Sequence, residues 1–407
     1  MSENDKKITR LKNNIDFVYK RNKNTPRSAL YLNFSLNNEN IPAGVYSLMV
    51  RLFMQGTKKY SAQQLSEELD KYAIEFTSEL KLDYVKFKFV CLNEDFEKAL
   101  EIFTDIVKNT TFEEFEKERL KLEGEIIAEL DSPRAKILDT YYKNIFAGHK
   151  YGATNTIILE NLKNITKEDV INAYNQILEN SKKIAVFAGD IEYEKVSRLL
   201  DENLGCIKES ISEFPALKAP ILDEMKNIEI VKEDLNQAHI MKGWLVDSLG
   251  NENYPAILLM NIILGASGLS SRLFLELRDK KGLAYVVRSS YDQARLGANF
   301  SIYIATEPKN IEVSLKGFEE EIEKIKTIPV SEEELENAKN NLFGKRAFIT
   351  ETNSQQASLI GHYGMMGLGF DFIEKSTEAI KKVTPADILA CANKYFNEKS
   401  VTVILKP

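Results

Sequence analysis

Arg278 and Tyr285 pair a permanent cation with a phenol seven positions apart in the run from Ser270 to Tyr285. A guanidinium presents a planar fork of N–H donors and a phenol one O–H, so the two together suit a peptide carbonyl or carboxylate held by charge-assisted hydrogen bonds. Just upstream, Gly265-Ala266-Ser267-Gly268 supplies a loop with two glycines, Gly265 and Gly268, which join the candidate binding set. A plainer reading stands beside this one. An arginine in the last turn of any helix is favourable against the helix dipole, and a tyrosine in a strand is ordinary.

The elements that position these residues follow from the local pattern. Leu273, Phe274 and Leu277 lie on one apolar face of a helix expected over 269–280, Gly282 stops it, and Tyr285 enters the next strand. Earlier in the chain, Ile15, Phe17 and Tyr19, then Leu30, Leu32, Phe34 and Leu36, alternate as strands. Val85, Phe87 and Phe89, interleaved with Lys86 and Lys88, mark a half-exposed strand. Helices are expected over 43–55, after Ser61, over 96–107, over 112–130 and on to Phe146, and from Thr166 to about Leu178, before an apolar strand at 183–188.

This order of elements then repeats. Asn38-Glu39-Asn40-Ile41-Pro42-Ala43 returns as Asn251-Glu252-Asn253-Tyr254-Pro255-Ala256, and Ile165-Thr166-Lys167-Glu168-Asp169-Val170 as Val383-Thr384-Pro385-Ala386-Asp387-Ile388. The charged helix at 112–125 is echoed at 332–345. Three matches in the same order describe a tandem duplication. The fold class expected is α+β: two duplicated domains, each an antiparallel or mixed β-sheet with helices packed on one face. Residues 209–227, with Pro215 and Pro220 and little periodicity, read as a linker between domains at 1–208 and 228–407.

Bulk properties exclude several classes. At 407 residues the chain is too long for one ordinary core, and 43% hydrophobic with 28% charged residues is a globular composition. A net charge of −7 argues against nucleic acid or an anionic membrane as partner. Cys91, Cys206 and Cys391 are scattered and odd in number, which reads as reduced thiols; with no apolar segment near the N-terminus, the expected location is cytoplasmic. Neither a phosphate-binding P-loop nor a dinucleotide fingerprint is present. Trp244 reads as core, and the glycine-rich stretch 361–369 as a bend between helices.

The string from Ser271-Arg272-Leu273-Phe274 through Leu277-Arg278 to Gly282-Leu283-Ala284-Tyr285 resembles the signature of the C-terminal half of M16 (insulinase/pitrilysin-like) zinc peptidases, and the duplication extends the likeness over nearly the whole chain. In that family an Arg and a Tyr at this spacing hold substrate, which assigns the role to Arg278 and Tyr285. Active members carry H-x-x-E-H on the first helix: two zinc-binding His and a Glu that deprotonates water. Aligned on Gly44-Val45 and on the run from Leu52 to Ser61, those positions here hold Ser47, Val50 and Arg51. A hydroxyl, an isopropyl and a cation are unfit for the three roles, so no zinc or other cofactor is expected in this chain. Glu125 falls at the family's third-ligand position, and with Glu118 it shares a helical face; without the two His, it reads as a surface acid.

The resemblance therefore implies a non-catalytic, peptide-gripping chain that pairs with an H-x-x-E-H-bearing M16 subunit, zinc residing in the partner. An M16-like scaffold without a peptidase role is the alternative, and a hydrolase built on Ser267 or Ser271 a third.

Overall fold

The structure, a computed structural model, describes residues 6–37 and 40–407. Asn38 and Glu39 of the first repeat motif, like residues 1–5 of the polar N-terminus, lie outside the described residues. The first half of the chain runs β1 (Lys6–Arg10), β2 (Asp16–Arg21), β3 (Arg27–Ser35), α1 (Val45–Leu52), α2 (Ala62–Lys71), β4 (Glu75–Leu80), β5 (Tyr84–Leu92), α3 (Phe96–Asn109), α4 (Phe115–Asp131), α5 (Pro133–Ile145), α6 (Asn155–Leu162), α7 (Lys167–Asn180), β6 (Lys183–Gly189) and α8 (Tyr193–Leu204). The second half continues with β7 (Lys226–Val231), β8 (Ala238–Val246), α9 (Tyr254–Asn261), two π-helical segments at Ile262–Ala266 and Phe274–Lys280, β9 (Ala284–Gln293) and β10 (Ala298–Thr306). It closes with α10 (Ile311–Thr327), α11 (Glu332–Phe348), α12 (Asn353–Met365), α13 (Phe372–Lys381), α14 (Pro385–Tyr395) and β11 (Val401–Lys406).

Local signals place many of the ends. Ser61 and Gln64, Thr166 and Asp169, and Thr384 and Asp387 each form a reciprocal capping box, satisfying amides that a helix start leaves open. The last two are the repeated motif read from the sequence. Both sheets are mixed and share one plan. In the first the strand order is β1-β2-β6-β3-β5-β4, in the second β7-β11-β8-β10-β9. Among the described residues each has a single parallel pair, β2 with β6 and β7 with β11, and antiparallel neighbours elsewhere. Matching these pairs equates β2 with β7, β6 with β11, β3 with β8, β5 with β10 and β4 with β9 as repeats, and leaves β1 an addition.

Two compact units result, but they are not the contiguous halves 1–208 and 228–407. One comprises residues 1–125, 158–217 and 347–372; the other 126–157, 218–346 and 373–407. Each unit takes a helix from the opposite half of the sequence. In the first, α12 lies on β3 and β6; in the second, α5 lies on β8 and β11. The helices expected on one face of each sheet are there: Phe53 packs edge-on to Phe87, and Phe96 to Phe187. The exchanged helix covers the other face. This explains why β6 is buried at every position and why β5 is not half-exposed: Lys86, expected at the surface, is 7% exposed, paired with Glu79 at 2.9 Å and set over the Tyr31 ring.

Close approach of α12 depends on two glycines of the stretch read as a bend. A Cβ at Gly361 would lie 2.8 Å from Asn33 Nδ2, and one at Gly364 would lie 2.9 Å from Ile184 Cδ1. Only Gly367 and Gly369, with positive φ, make the bend itself. In the second unit, α5 brings Tyr141 against Gly243, where a Cβ would meet the phenol oxygen at 2.0 Å, and Tyr141 donates to the buried Asn299. Trp244 is core, as expected, and donates to the Asn397 carbonyl. Among the described residues no helix is long and apolar enough to cross a membrane.

Candidate functional site

Two constellations carry chemistry, one in each unit. The first is built by α1. Val45, Leu48, Met49 and Leu52 turn one face of this helix into the core, leaving Ser47, Val50 and Arg51 half-buried on the other. Strand β4 braces the helix, the Val50 carbonyl accepting from Ser78 Oγ at 2.6 Å. Arg51 reaches α4. Its Nη1 and Nη2 donate to the two carboxylate oxygens of Glu125 at 2.9 and 2.8 Å, and its Nε donates to Glu118 at 3.2 Å. Glu118 is buried and also accepts from Gln55 and Lys121.

Glu125 lies at the surface, its side chain 60% exposed, but it is paired. A bidentate fork fixes it, and the hydrogen bonds from Arg51 hold its carboxyl below the usual range. The seven-residue spacing that puts Glu118 and Glu125 on one face of α4 is what allows one guanidinium to meet both. The donor set does not fit zinc. A hydroxyl and an isopropyl stand at two positions, and the third holds a cation already paired with both carboxylates. Among the described residues no group of three His, Cys, Asp or Glu side chains could hold a metal ion. His239 and His362 are each hydrogen-bonded to a tyrosine, Tyr303 and Tyr84.

The second constellation surrounds Arg278. The segment expected as an ordinary helix over 269–280 is π-helical from Phe274 to Lys280, with Lys281 N–H donating to the Glu276 carbonyl. Gly282, at φ +61°, ends it, and the Leu283 amide turns back to the Leu277 carbonyl. The chain then enters β9, an edge strand. A bulge between Ala305 and Thr306 of the neighbouring β10 leaves Tyr285 out of register, facing neither residue. Arg278 Nη1 donates to the Tyr285 carbonyl at 2.9 Å.

The guanidinium lies 4.5 Å from the Phe274 ring centroid and 4.7 Å from that of Tyr285. Two rings and the Tyr285 carbonyl hold the cation in place, and among the described residues no carboxylate pairs with it. Tyr285 itself is 77% exposed. The arrangement presents an ordered cation and a phenol to the surface, which suits an anionic or carbonyl oxygen. Arg272, in the same signature, is engaged elsewhere. It forms a bidentate pair with Glu334 at 2.7 Å, tying this segment to α11.

The two glycines divide. Gly265 is buried, and a Cβ there would lie 2.2 Å from the Ser289 amide nitrogen, so it serves the approach of the π-helical segment to β9 and offers no surface for the grip expected of it. Gly268 has φ +77° and open space around it. Ser271 donates its hydroxyl to the Gly268 carbonyl at 2.7 Å, bracing the loop. In the sequence Phe274 shows only as an apolar-face residue; its i, i+4 spacing to Arg278 is the local signal for its place in the clamp.

Comparison with known proteins fits this geometry. A family profile described as Insulinase (Peptidase family M16) matches residues 17–156, and one described as Peptidase M16 inactive domain matches residues 164–342. The chain belongs to the M16 peptidase family. An uncharacterised zinc protease of Rickettsia felis is 27% identical to this M16 chain over 371 residues, covering 89% of the chain and 88% of the relative. Among solved structures, a protease from Helicobacter pylori matches with TM-score 0.90 at 22% identity, over 99% of both chains. A peptidase M16 inactive domain from Pseudomonas fluorescens matches with TM-score 0.87 at 19% identity, over 99% of this M16 chain and 98% of that one. The likeness to the two solved structures is one of fold.

Proposed function

We propose that this chain is the non-catalytic, peptide-binding subunit of a heterodimeric M16 zinc peptidase. The observation that carries the reading is the contrast between the two constellations. At the metal positions Arg51 is locked to Glu118 and Glu125, whereas Arg278 is ordered by two rings and by the Tyr285 carbonyl, with no acid pairing it among the described residues. A cation kept ordered and unneutralised favours ligand binding over scaffolding, since a scaffold gains nothing from it.

In this reading Arg278 and Tyr285 donate to a carbonyl or carboxylate of a peptide and position it for a partner chain that carries H-x-x-E-H and the zinc. The relatives named zinc proteases agree with the reaction class, and the residues at 47, 50 and 51 support assigning the metal to the partner. The test is hydrolysis of a quenched-fluorescent peptide library by the purified chain alone and mixed with an H-x-x-E-H-bearing M16 chain of the same organism. Activity in the mixture alone is expected, with Arg278→Ala weakening turnover by about 1.5–3 kcal/mol. Chelator-sensitive activity of the single chain, or full activity of the Arg278→Ala pair at low substrate, would overturn it.

A further inference from the structure

A second cationic cluster lies on β9, three residues beyond Tyr285. Arg288 stands directly opposite Tyr303 of β10, so both side chains project from the sheet face that α5 covers. The guanidinium carbon is 5.9 Å from the Tyr303 ring centroid, and Nε is buried with no hydrogen-bond partner among the described residues. Buried donors are almost always satisfied, so an orphan on a charged side chain asks for an acceptor. Among the described residues Arg288 has no carboxylate partner. The acid on its own strand, Asp292, is engaged by the Tyr142 hydroxyl at 2.6 Å.

Three other groups surround the same place. Tyr303 shares a 2.7 Å hydrogen bond with His239 Nδ1. Arg134, exposed in the first turn of α5, also has no acid partner among the described residues, and that turn holds no acidic residue. Burial raises the Tyr303 pKa, while Arg134 and Arg288 both act to lower it, which puts both cations within electrostatic reach of one phenol. One guanidinium set over the Tyr303 ring and a second within electrostatic reach of its phenol, neither with an acid partner among the described residues, form a place for an oxyanion, and self-repulsion between the cations is relieved when one binds.

We infer that Arg288, assisted by Arg134 and the Tyr303 hydroxyl, forms an anion subsite that takes a carboxylate of the bound peptide, either an acidic side chain or the C-terminus. Assigning the ligand as a peptide rests on the function proposed above; the subsite itself rests on these residues. Along the strand Arg288 lies three positions from Tyr285, roughly 10 Å. The chain would then prefer peptides with an acidic group at a fixed distance from the residue held by Arg278.

The experiment measures fluorescence-anisotropy binding of the full chain to labelled decapeptides of otherwise neutral sequence, in which a single Glu or its Gln counterpart is moved along the peptide, each with a free or amidated C-terminus. About tenfold tighter binding of one Glu register over Gln, or of the free over the amidated terminus, is expected, as for one charge-assisted contact. Arg288→Gln should abolish that discrimination, Arg288→Lys should retain part of it, and the exposed Arg134→Gln should reduce it without affecting thermal unfolding. Arg278→Ala should weaken all the peptides alike and leave the discrimination in place.

Absence of any Glu or terminus preference overturns the subsite, even where Arg278→Ala still weakens every peptide. A preference that survives Arg288→Gln, with the variant folded by thermal unfolding, overturns it too. Preference without any effect of Arg278→Ala upholds the subsite and removes the grip. Failure of every peptide to bind overturns both.

Discussion

Arg51 brings a fixed charge to a spot framed by two carboxylates, and one of them, Glu118, is only 5% exposed at its side chain. Replacing Arg51 with Met leaves both acids short of their strongest donor, and chemical denaturation should show a loss of about 1–2 kcal/mol, since Glu118 keeps Lys121 and Gln55. The acid limb should change as well. Because Arg51 lowers the folded-state pKa of Glu125, its stabilisation is complete above an unfolded carboxyl value of about 4.3 and disappears as pH falls through the lower folded one. Arg51→Met should therefore unfold with a flatter pH dependence below about pH 4. A second contrast concerns the glycines. Gly265→Ala must displace the Ser289 backbone and should lower the melting temperature by the equivalent of roughly 2–3 kcal/mol, whereas Gly268→Ala, with space but a left-handed φ, should cost about 1 kcal/mol.

At the scale of elements, α12 joins the first sheet through a titratable contact. His362 lies against Tyr84, with its Nδ1 3.1 Å from the phenol oxygen. Burial lowers its pKa to about 4, with Lys81 and Lys86 adding to the fall and Asp83 opposing it. The unfolded chain protonates near pH 6.5 and the folded one only near 4, so this group costs stability progressively as pH drops through that window, up to about 3 kcal/mol. Thermal melts of His362→Gln between pH 7 and 4 should be flatter than those of the wild type; equal slopes would show that the histidine is not the titrating group. The sequence makes α12 hard to place. Its capping Thr352 and the glycines at 361 and 364 are visible, but which sheet a helix covers is decided by contacts far along the chain. Strand alternation, by contrast, is legible in β2, β3 and β5, and the capping boxes at Thr166 and Thr384 announce the repeat. Lys86 misleads, because its polarity signals solvent unless one knows that Glu79 and a helix wait for it.

For the whole molecule, the same exchange limits what can fold alone. A fragment ending at residue 208 contains the first sheet but not α12, so the face bearing Tyr31, Asn33 and Val186 stays uncovered. Such a fragment should lack a cooperative thermal transition, and adding a synthetic peptide of residues 347–372 should restore one, as followed by circular dichroism. The grip site depends least on such distant information: Arg278, Gly282 and Tyr285 are close neighbours in the chain, so their relation is written locally. The bulge beside Tyr285 is not, because it arises from the register with β10. Arg288 escapes a reading of the sequence for the same reason, since nothing near it reveals Tyr303, His239 or Arg134 as neighbours.

The hydrogen bond between Tyr31 and Ser354 spans 323 residues. At a synthesis rate of roughly 5–20 residues per second, the ribosome needs about 15–65 s to make the second partner after the first. During that interval the earliest-made sheet has only one of its two covers, a window long enough for chaperones to engage it and for edge-to-edge pairing with neighbouring nascent chains to compete. The duplicated fold thus makes its N-terminal unit wait for a helix translated long after the rest of that unit, and a ribosome stalled before residue 353 would release a chain with neither unit closed.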